Sequence, residues 1–228
     1  MSDCIKGVLF DLDQTLLNRD ESLIRFLSWQ YSALSLSAEG ISEHAYQKEF
    51  INEDKNGSVW KDKVYSKLIS VFNIEGYSQD FLLRQYIERF RDHCVEVNGA
   101  SKLINKLRHA ALPMGIVTNG KSPFQEKNIE SLGWNNDFKV ILVSENVGLR
   151  KPSTEIFLLA CQGLGVSPSQ TLFVGDNPKS DIMGAKDAGL QTFFLKTKYH
   201  NHCDGADFTG TDLNLVSQVI FGFDSTTN

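Results

Sequence analysis

The stretch GVLFDLDQTLLN, residues 7–18, decides the fold of this chain. Its apolar start predicts a buried strand, and that strand runs directly into two aspartates one residue apart, Asp11 and Asp13. Two like charges repel each other and are costly to bury, so the pair requires a compensating positive charge or has a functional role. At the carboxyl end of a strand in a parallel sheet, the pair would lie where ligands bind.

Composition limits the classes of protein to consider. The chain has 228 residues, enough for one large domain or for a core domain with a smaller insertion. Its net charge is -5 and its 23 basic residues are dispersed, so no nucleic-acid polymer is expected as a partner. No apolar run approaches the roughly 18 residues of a membrane span, and the start lacks a signal pattern. We therefore predict a cytoplasmic protein with no membrane partner; the oligomeric state stays open.

The cysteines and prolines are informative through their positions. Four cysteines are scattered without a CxxC pair, which indicates reduced thiols and neither a zinc site nor a redox motif. We expect Cys94 and Cys161 to be small core residues. All prolines lie after residue 112, so the first half carries no such helix breaker.

Residues 17–93 have the spacing of a helical block. Apolar residues recur at helical intervals, as in Leu23 and Leu27. Three serines are placed as N-cap candidates, Ser42, Ser58 and Ser78. We expect about four helices and no strand in this block.

After residue 99 short apolar runs alternate with helical segments. The runs are residues 112–118, 139–144, 171–175 and 191–195, and the helical segments begin near Ser122, Ser153 and Ser180. This alternation predicts βαβ units. The expected architecture is α/β: a Rossmann-like parallel sheet core with helices on both faces, residues 1–16 and 94–228, and an inserted all-helical cap, residues 17–93.

Polar groups follow the apolar runs on one predicted edge of the sheet. They are Asp11 and Asp13, Thr118 and Asn119 with Gly120, Lys151 with Pro152, and Asp176 with Asp181. Oxygen ligands alone favour a hard divalent cation, Mg²⁺ above all, and the hydroxyl, amide and ammonium groups suit a phosphate. Pro152 is expected to begin a helix. Taken singly, each motif also fits an ordinary turn or helix start.

Together, the motifs resemble those of a known family. The set DLDQT (11–15), TNG (118–120), KP (151–152) and GDNPKSD (175–181) is similar to the four motifs of the haloacid dehalogenase-like hydrolases. The resemblance covers about two thirds of the chain. The helical block stands where members of this type carry a helical cap, which is expected to close over the site.

The resemblance implies a role for each motif residue. Asp11 would be the nucleophile that forms an aspartyl-phosphate, and Asp13 the general acid and base. Lys151 would offset negative charge at the reaction centre. Thr118, Asn119 and Lys151 would bind the phosphoryl group. Asp11, Asp13 (through its main-chain carbonyl) and Asp176 would bind Mg²⁺, and Asp181 would orient a metal-bound water or Lys151 from behind these ligands.

The resemblance also separates types within the family. Dehalogenases attack carbon and need no acid at the second aspartate, so the presence of Asp13 favours phosphoryl chemistry. The chain departs from the common pattern at Gln14, where glycine is common, and at Thr118, where serine is common. Residues 144–157 with the TNG motif resemble the nucleotidase and phosphoglycolate phosphatase type. The expected substrate is a small phosphomonoester of the nucleotide, phosphoglycolate or sugar phosphate class.

Several expectations concern the cap and the histidines. Asn18 and Arg19 are candidate hinge residues, and residues 58–63 are a candidate substrate-reading segment. Within that segment Trp60 more often packs in a core, whereas Lys61 and Lys63 are expected at the solvated surface. His200 and His202 could form an incidental metal site, although a solvated loop is the favoured interpretation.

Two other functions stay open at this point. A phosphomutase of the β-phosphoglucomutase type would share the aspartyl-phosphate but return the phosphoryl group to sugar, releasing little inorganic phosphate. A non-catalytic binding or regulatory protein on the same fold would typically have lost a catalytic acid, and this chain retains Asp11, Asp13, Lys151 and Asp176.

Overall fold

The computed structural model describes residues 4–222, which form two compact units. One unit contains the chain up to Asn18 and again from Val95 onward, and the other contains Arg19–Cys94. The tail that we expected to fray, residues 224–228, lies outside the described residues.

The first unit is built on a parallel sheet. In the described part of the chain the sheet has six strands in the order β3-β2-β1-β4-β5-β6. The strands are β1 Gly7–Phe10, β2 Met114–Thr118, β3 Val140–Val143, β4 Thr171–Gly175, β5 Gln191–Leu195 and β6 Phe208–Gly210. The predicted α/β Rossmann-like fold is confirmed. The sixth strand was not predicted, because three residues are too few to show a strand pattern.

Helices of the first unit lie between most of the strands in chain order. They are α5 Ala100–His109, α6 Phe124–Ser131, α7 Ser144–Val147, α8 Thr154–Leu164, α9 Gly184–Asp187 and α10 Leu213–Phe221, with a 3-10 turn at Pro168–Gln170 and a π-helical turn at Pro178–Met183. Every residue of β1, β2 and β4 is buried, as expected for a parallel sheet with both faces covered. The rings of Phe157 in α8 and Phe173 in β4 meet edge to face, with centroids 5.0 Å apart.

The strand order determines where a ligand can approach. Strands β2 and β3 lie on one side of β1, and β4 to β6 lie on the other. The direction in which the chain adds strands therefore reverses between β1 and β4. In open parallel sheets the crevice at this switch point, outside the carboxyl ends of the strands, is the usual ligand site.

The second unit is helical, as the apolar spacing predicted. Its helices are α1 Arg19–Ala33, α2 Glu43–Asp54, α3 Lys61–Phe72 and α4 Gln79–Arg89, with 3-10 turns at Leu36–Glu39 and Phe90–His93. Ser42 and Ser78 cap α2 and α4, because each hydroxyl accepts a hydrogen bond from the backbone N–H three residues on. The prediction for Ser58 was wrong: its hydroxyl donates to the Lys55 carbonyl, and α3 begins only at Lys61.

A buried ion cluster lies in the second unit. The Asp54 carboxylate contacts the Arg19 guanidinium at 2.7 Å and the Lys61 ammonium at 2.5 Å, and all three side chains are buried. The prediction that Lys61 is solvated was therefore wrong, whereas Lys63 is exposed as expected. Burial alone would raise the pKa of Asp54, but the two cations outweigh that effect and lower it.

Two further expectations can be compared with the structure. Cys161 is buried in the core as predicted, whereas Cys94 is only half-buried. Among residues 4–222, no helix combines the length and apolar character needed to cross a membrane.

Candidate active site

Strands β1 and β4 place two carboxylates side by side at the switch point. Asp11 follows the last residue of β1, and its backbone N–H donates to the Val174 carbonyl of β4 at 2.9 Å. Asp176 follows Gly175, the last residue of β4. Both side chains are almost completely buried. In both cases an apolar run that ends on an aspartate is a buried strand with the carboxylate just past its last residue.

Lys151 joins this pair from the loop before α8. Its Nζ lies 2.6 Å from Asp11 Oδ1 and 2.8 Å from Asp181 Oδ1, and only 3% of the residue is exposed. The expectation that Pro152 starts the helix was wrong, because Pro152 lies in a turn and α8 begins at Thr154. The carboxylates of Asp11 and Asp181 hold the ammonium.

Asp181 reaches the site from the π-helical turn that follows β4. Its Oδ2 accepts a hydrogen bond from the Asn177 N–H at 3.0 Å, which fixes the carboxylate close to the end of the strand. The approach requires a glycine at position 175, since a Cβ there would lie 2.5 Å from Asp181 Oδ2. The glycine of the GDNPKSD stretch is thus explained by close approach.

Three carboxylates share one ammonium in this cluster. Oxygens of Asp11, Asp176 and Asp181 all lie within 4.8 Å of one another. Burial raises the pKa of Asp11 well above its ordinary value, and the neighbouring carboxylates add to this against the effect of Lys151. Burial and then Asp181 raise the pKa of Asp176 to about 7. Burial would lower the pKa of Lys151, but Asp11 and Asp181 outweigh it and raise that pKa, so the ammonium stays charged.

Asp13 and Thr118 are brought together by a residue that sequence reasoning missed. Gln125, near the start of α6, donates from Nε2 to Asp13 Oδ2 at 2.7 Å and to Thr118 Oγ1 at 2.9 Å. Gln125 is 2% exposed. A glutamine five residues after the TNG motif is a weak signal by itself, because most glutamines lie at the surface.

The Asn119 side chain contacts the main chain of Lys151. Its Nδ2 donates to the Lys151 carbonyl and its Oδ1 accepts from the Lys151 N–H, both at 2.9 Å. The two hydrogen bonds hold the main chain of Lys151 and so aim its ammonium at Asp11. The amide therefore orients a charged residue of the cluster.

Gln14 and the two histidines have distinct surroundings. Gln14 has a φ of 62°, in the left-handed region, which is why glycine suits this position. Thr197, also missed, places its hydroxyl 3.4 Å from Asp176 Oδ2, and His200 Nδ1 lies 3.9 Å from the same oxygen. His202 instead pairs with Asp204 at 3.0 Å on the exposed surface, so the two histidines contact different aspartates.

Comparison with known proteins identifies the family. The sequence profile described as haloacid dehalogenase-like hydrolase matches residues 8–195. N-acetylmuramic acid 6-phosphate phosphatase of Pseudomonas aeruginosa is 27% identical over 215 residues, covering 92% of this chain and 89% of that protein. Pyrimidine 5'-nucleotidase YjjG of Escherichia coli is 29% identical over 222 residues, covering 93% and 96%.

Solved structures agree with this assignment. The crystal structure of a HAD phosphatase from Thermococcus onnurineus superposes with a TM-score of 0.68 at 25% identity, covering 96% of this chain and 99% of that chain. The chain therefore belongs to the haloacid dehalogenase-like hydrolase family. The family expected from the motifs is confirmed, and so, at the level of the family, is the prediction of a hydrolase acting on phosphoric monoesters.

Proposed function

We propose that this protein is a Mg²⁺-dependent phosphatase that hydrolyses a small phosphomonoester through an aspartyl-phosphate on Asp11. One observation carries the proposal: Asp11 lies buried at the switch point with Lys151 2.6 Å from one carboxylate oxygen and Asp176 close by. A carboxylate is a weak nucleophile, and a fixed ammonium beside it draws the negatively charged phosphate close enough to be attacked.

In the first step, an Asp11 carboxylate oxygen attacks phosphorus. The bond from phosphorus to the ester oxygen breaks, and Asp13 supplies a proton to the leaving alcohol. Lys151 remains protonated throughout and offsets the negative charge that gathers between Asp11 and the phosphoryl oxygens.

In the second step, water attacks the aspartyl-phosphate. Asp13 takes a proton from the water as its oxygen bonds to phosphorus, and the bond from phosphorus to the Asp11 oxygen breaks. Inorganic phosphate leaves and both carboxylates return to their starting state. Asp13 thus gives a proton in the first step and takes one in the second, which accounts for a second aspartate so close to the nucleophile.

The phosphoryl group needs donors besides Lys151. We assign this role to the Thr118 hydroxyl and to the backbone N–H of Asn119, since the Asn119 side chain holds the Lys151 main chain. Both residues stand at the end of β2, the neighbour of β1 in the sheet. Asp181 acts indirectly by holding Lys151 at 2.8 Å.

The residues present fit a hard divalent cation. Asp11, Asp176 and Asp181 supply carboxylate oxygens, and the Lys151 ammonium pairs with two of these three buried carboxylates. We propose that Asp11, Asp176 and the main-chain carbonyl of Asp13 hold Mg²⁺. When bound, the ion would neutralise part of the phosphate charge and help to orient it for attack.

The helical unit and the relatives bear on the substrate. We propose that Arg19–Cys94 is the cap that reads the leaving group. Relatives are named for an amino sugar phosphate and for pyrimidine nucleotides, so both classes are candidates, with phosphoglycolate as a third predicted from the sequence. The cytoplasmic location stays a prediction from the sequence.

The test is release of inorganic phosphate from a panel of nucleoside monophosphates, phosphoglycolate and sugar phosphates, with Mg²⁺ or with EDTA. We expect release that requires Mg²⁺ and is lost in Asp11→Asn, while Asp187→Asn, an exposed aspartate, stays active. No release from any ester by folded protein would refute the proposal. Interconversion of two sugar phosphates with little phosphate released would favour the mutase instead.

A further inference from the structure

Gln125 is a buried amide whose hydrogen bonds reach two residues of the site. Its Nε2 donates to Asp13 Oδ2 and to Thr118 Oγ1, and its Oε1 accepts from the Asn128 Nδ2 at 3.3 Å. Both amide protons and the amide oxygen therefore have partners, although the residue is 2% exposed. A buried amide with all its hydrogen bonds made is rigid, and the Gln125 amide is held in place beside Asp13 and Thr118.

We propose that Gln125 is a positioning residue that fixes the direction of proton exchange at Asp13 and Thr118. The proposal rests on the proposed function, since it assigns a role within the same reaction. Gln125 does not touch the reacting atoms, but it determines how the side chains of Asp13 and Thr118 are oriented toward them.

At Asp13 the amide selects the oxygen that exchanges protons. An N–H group can only donate, so Oδ2, 2.7 Å from Gln125 Nε2, must accept, and a proton on Asp13 must then sit on Oδ1. In the observed orientation Gln125 Oε1 accepts from Asn128 Nδ2, and Nε2 faces the carboxylate. The carboxylate thus turns Oδ1 to the leaving oxygen in the first step and to water in the second.

At Thr118 the same amide sets the direction of the hydroxyl proton. Because Thr118 Oγ1 accepts from Gln125 at 2.9 Å, its own proton points away from Gln125. The hydroxyl is then a donor to a phosphoryl oxygen, which is an acceptor. The Gln125 side chain consequently orients both the acid, Asp13, which follows β1, and the phosphate donor, Thr118, which ends β2.

The glycine of the TNG motif supports this assignment independently. A Cβ at Gly120 would lie 2.3 Å from Gln125 Cγ and 2.5 Å from its Nε2. Glycine at 120 therefore leaves space for the Gln125 side chain to pass to Asp13. We expect Gly120→Ala to displace the amide and to reproduce the kinetic effect of changing Gln125 itself.

The variant Gln125→Met removes both donors and keeps the length of the side chain. Two substrates separate its effects on the two steps. An alkyl phosphate needs a proton on its leaving oxygen, whereas 4-nitrophenyl phosphate has a leaving group that departs without one. With 4-nitrophenyl phosphate, then, only the attack of water depends on a well-placed Asp13.

We expect stopped-flow traces of Gln125→Met with 4-nitrophenyl phosphate to show a burst of nitrophenol that is slowed less than the turnover that follows it, and a turnover slowed about 10-fold or more. The Thr118 hydroxyl serves both steps, whereas Asp13 is needed only in the second step with this substrate. With the alkyl phosphate the burst itself should be slowed. The matched control is Gln162→Met, at an exposed position of α8, which should behave as wild type. Circular dichroism and thermal melts establish that each variant is folded.

The outcomes distinguish this inference from the function on which it rests. In folded Gln125→Met, a burst and a turnover that fall by the same factor would overturn the role at Asp13, and a fall in neither would overturn the positioning role at both residues; either result leaves the phosphatase intact. If Gln125→Met does not fold, Gly120→Ala is judged by the same criteria. No hydrolysis by the wild type would overturn the proposed function, and this inference with it.

Discussion

Replacing Asp176 tests the electrostatics of the site most directly. The buried carboxyl has its pKa raised from 3.8 to about 7, first by burial and then by Asp181. Between these two pH values the folded chain keeps a proton that the unfolded chain releases. The stability of the metal-free protein should therefore fall as the pH rises from about 4 to about 7, and the loss is complete above that range.

The magnitude follows from the two pKa values. At about 1.4 kcal/mol for each pKa unit, the carboxylate costs on the order of 4 kcal/mol above pH 7, and roughly a third of that has developed at pH 5. Asp176→Asn removes the titration. Allowing for relaxation around the site, we expect the variant to gain about 2 kcal/mol at pH 8, or about 4–8 °C in melting temperature.

The assay is thermal unfolding in EDTA at pH 5 and pH 8, repeated with Mg²⁺. Added Mg²⁺ should stabilise the wild type, because it binds the folded chain, and should stabilise Asp176→Asn far less. The control is Asp187→Asn, an exposed aspartate of the same unit. A variant no more stable than wild type in EDTA at pH 8, or one equally stabilised at both pH values, would refute the reasoning.

Other predictions concern the helical unit. Asp54→Asn leaves Arg19 and Lys61 buried without a counter-charge and should cost about 3–5 kcal/mol in urea unfolding; a loss below about 1 kcal/mol would contradict the buried cluster. Ser42→Ala should cost about 1 kcal/mol by removing the cap of α2, and Ser58→Ala, which removes no cap, should change the same measurement little. Equal losses from the two serine variants would contradict the assigned caps.

The sequence predicted the positions of Asp11 and Asp176 at strand ends, because that signal is local. Asp11 and Asp176 each end an apolar run, and both runs form buried strands of the sheet. Lys61 was misjudged because its partner Asp54 lies in the preceding helix, and nothing in the spacing of α3 indicates an ion pair. Gln125 was missed for the same reason at longer range, since Asp13 is 112 residues away in the chain.

The sequence alone determined the class of fold, the helical insertion and the motifs of the family. These depend on runs of neighbouring residues, whose apolar spacing and turn residues act over a few positions. Only the tertiary structure decided that Lys151 lies between Asp11 and Asp181, that Asn119 orients Lys151, and that Gln125 contacts Asp13. Such contacts depend on the order and register of the strands, which the packing of the whole core fixes and no local segment contains.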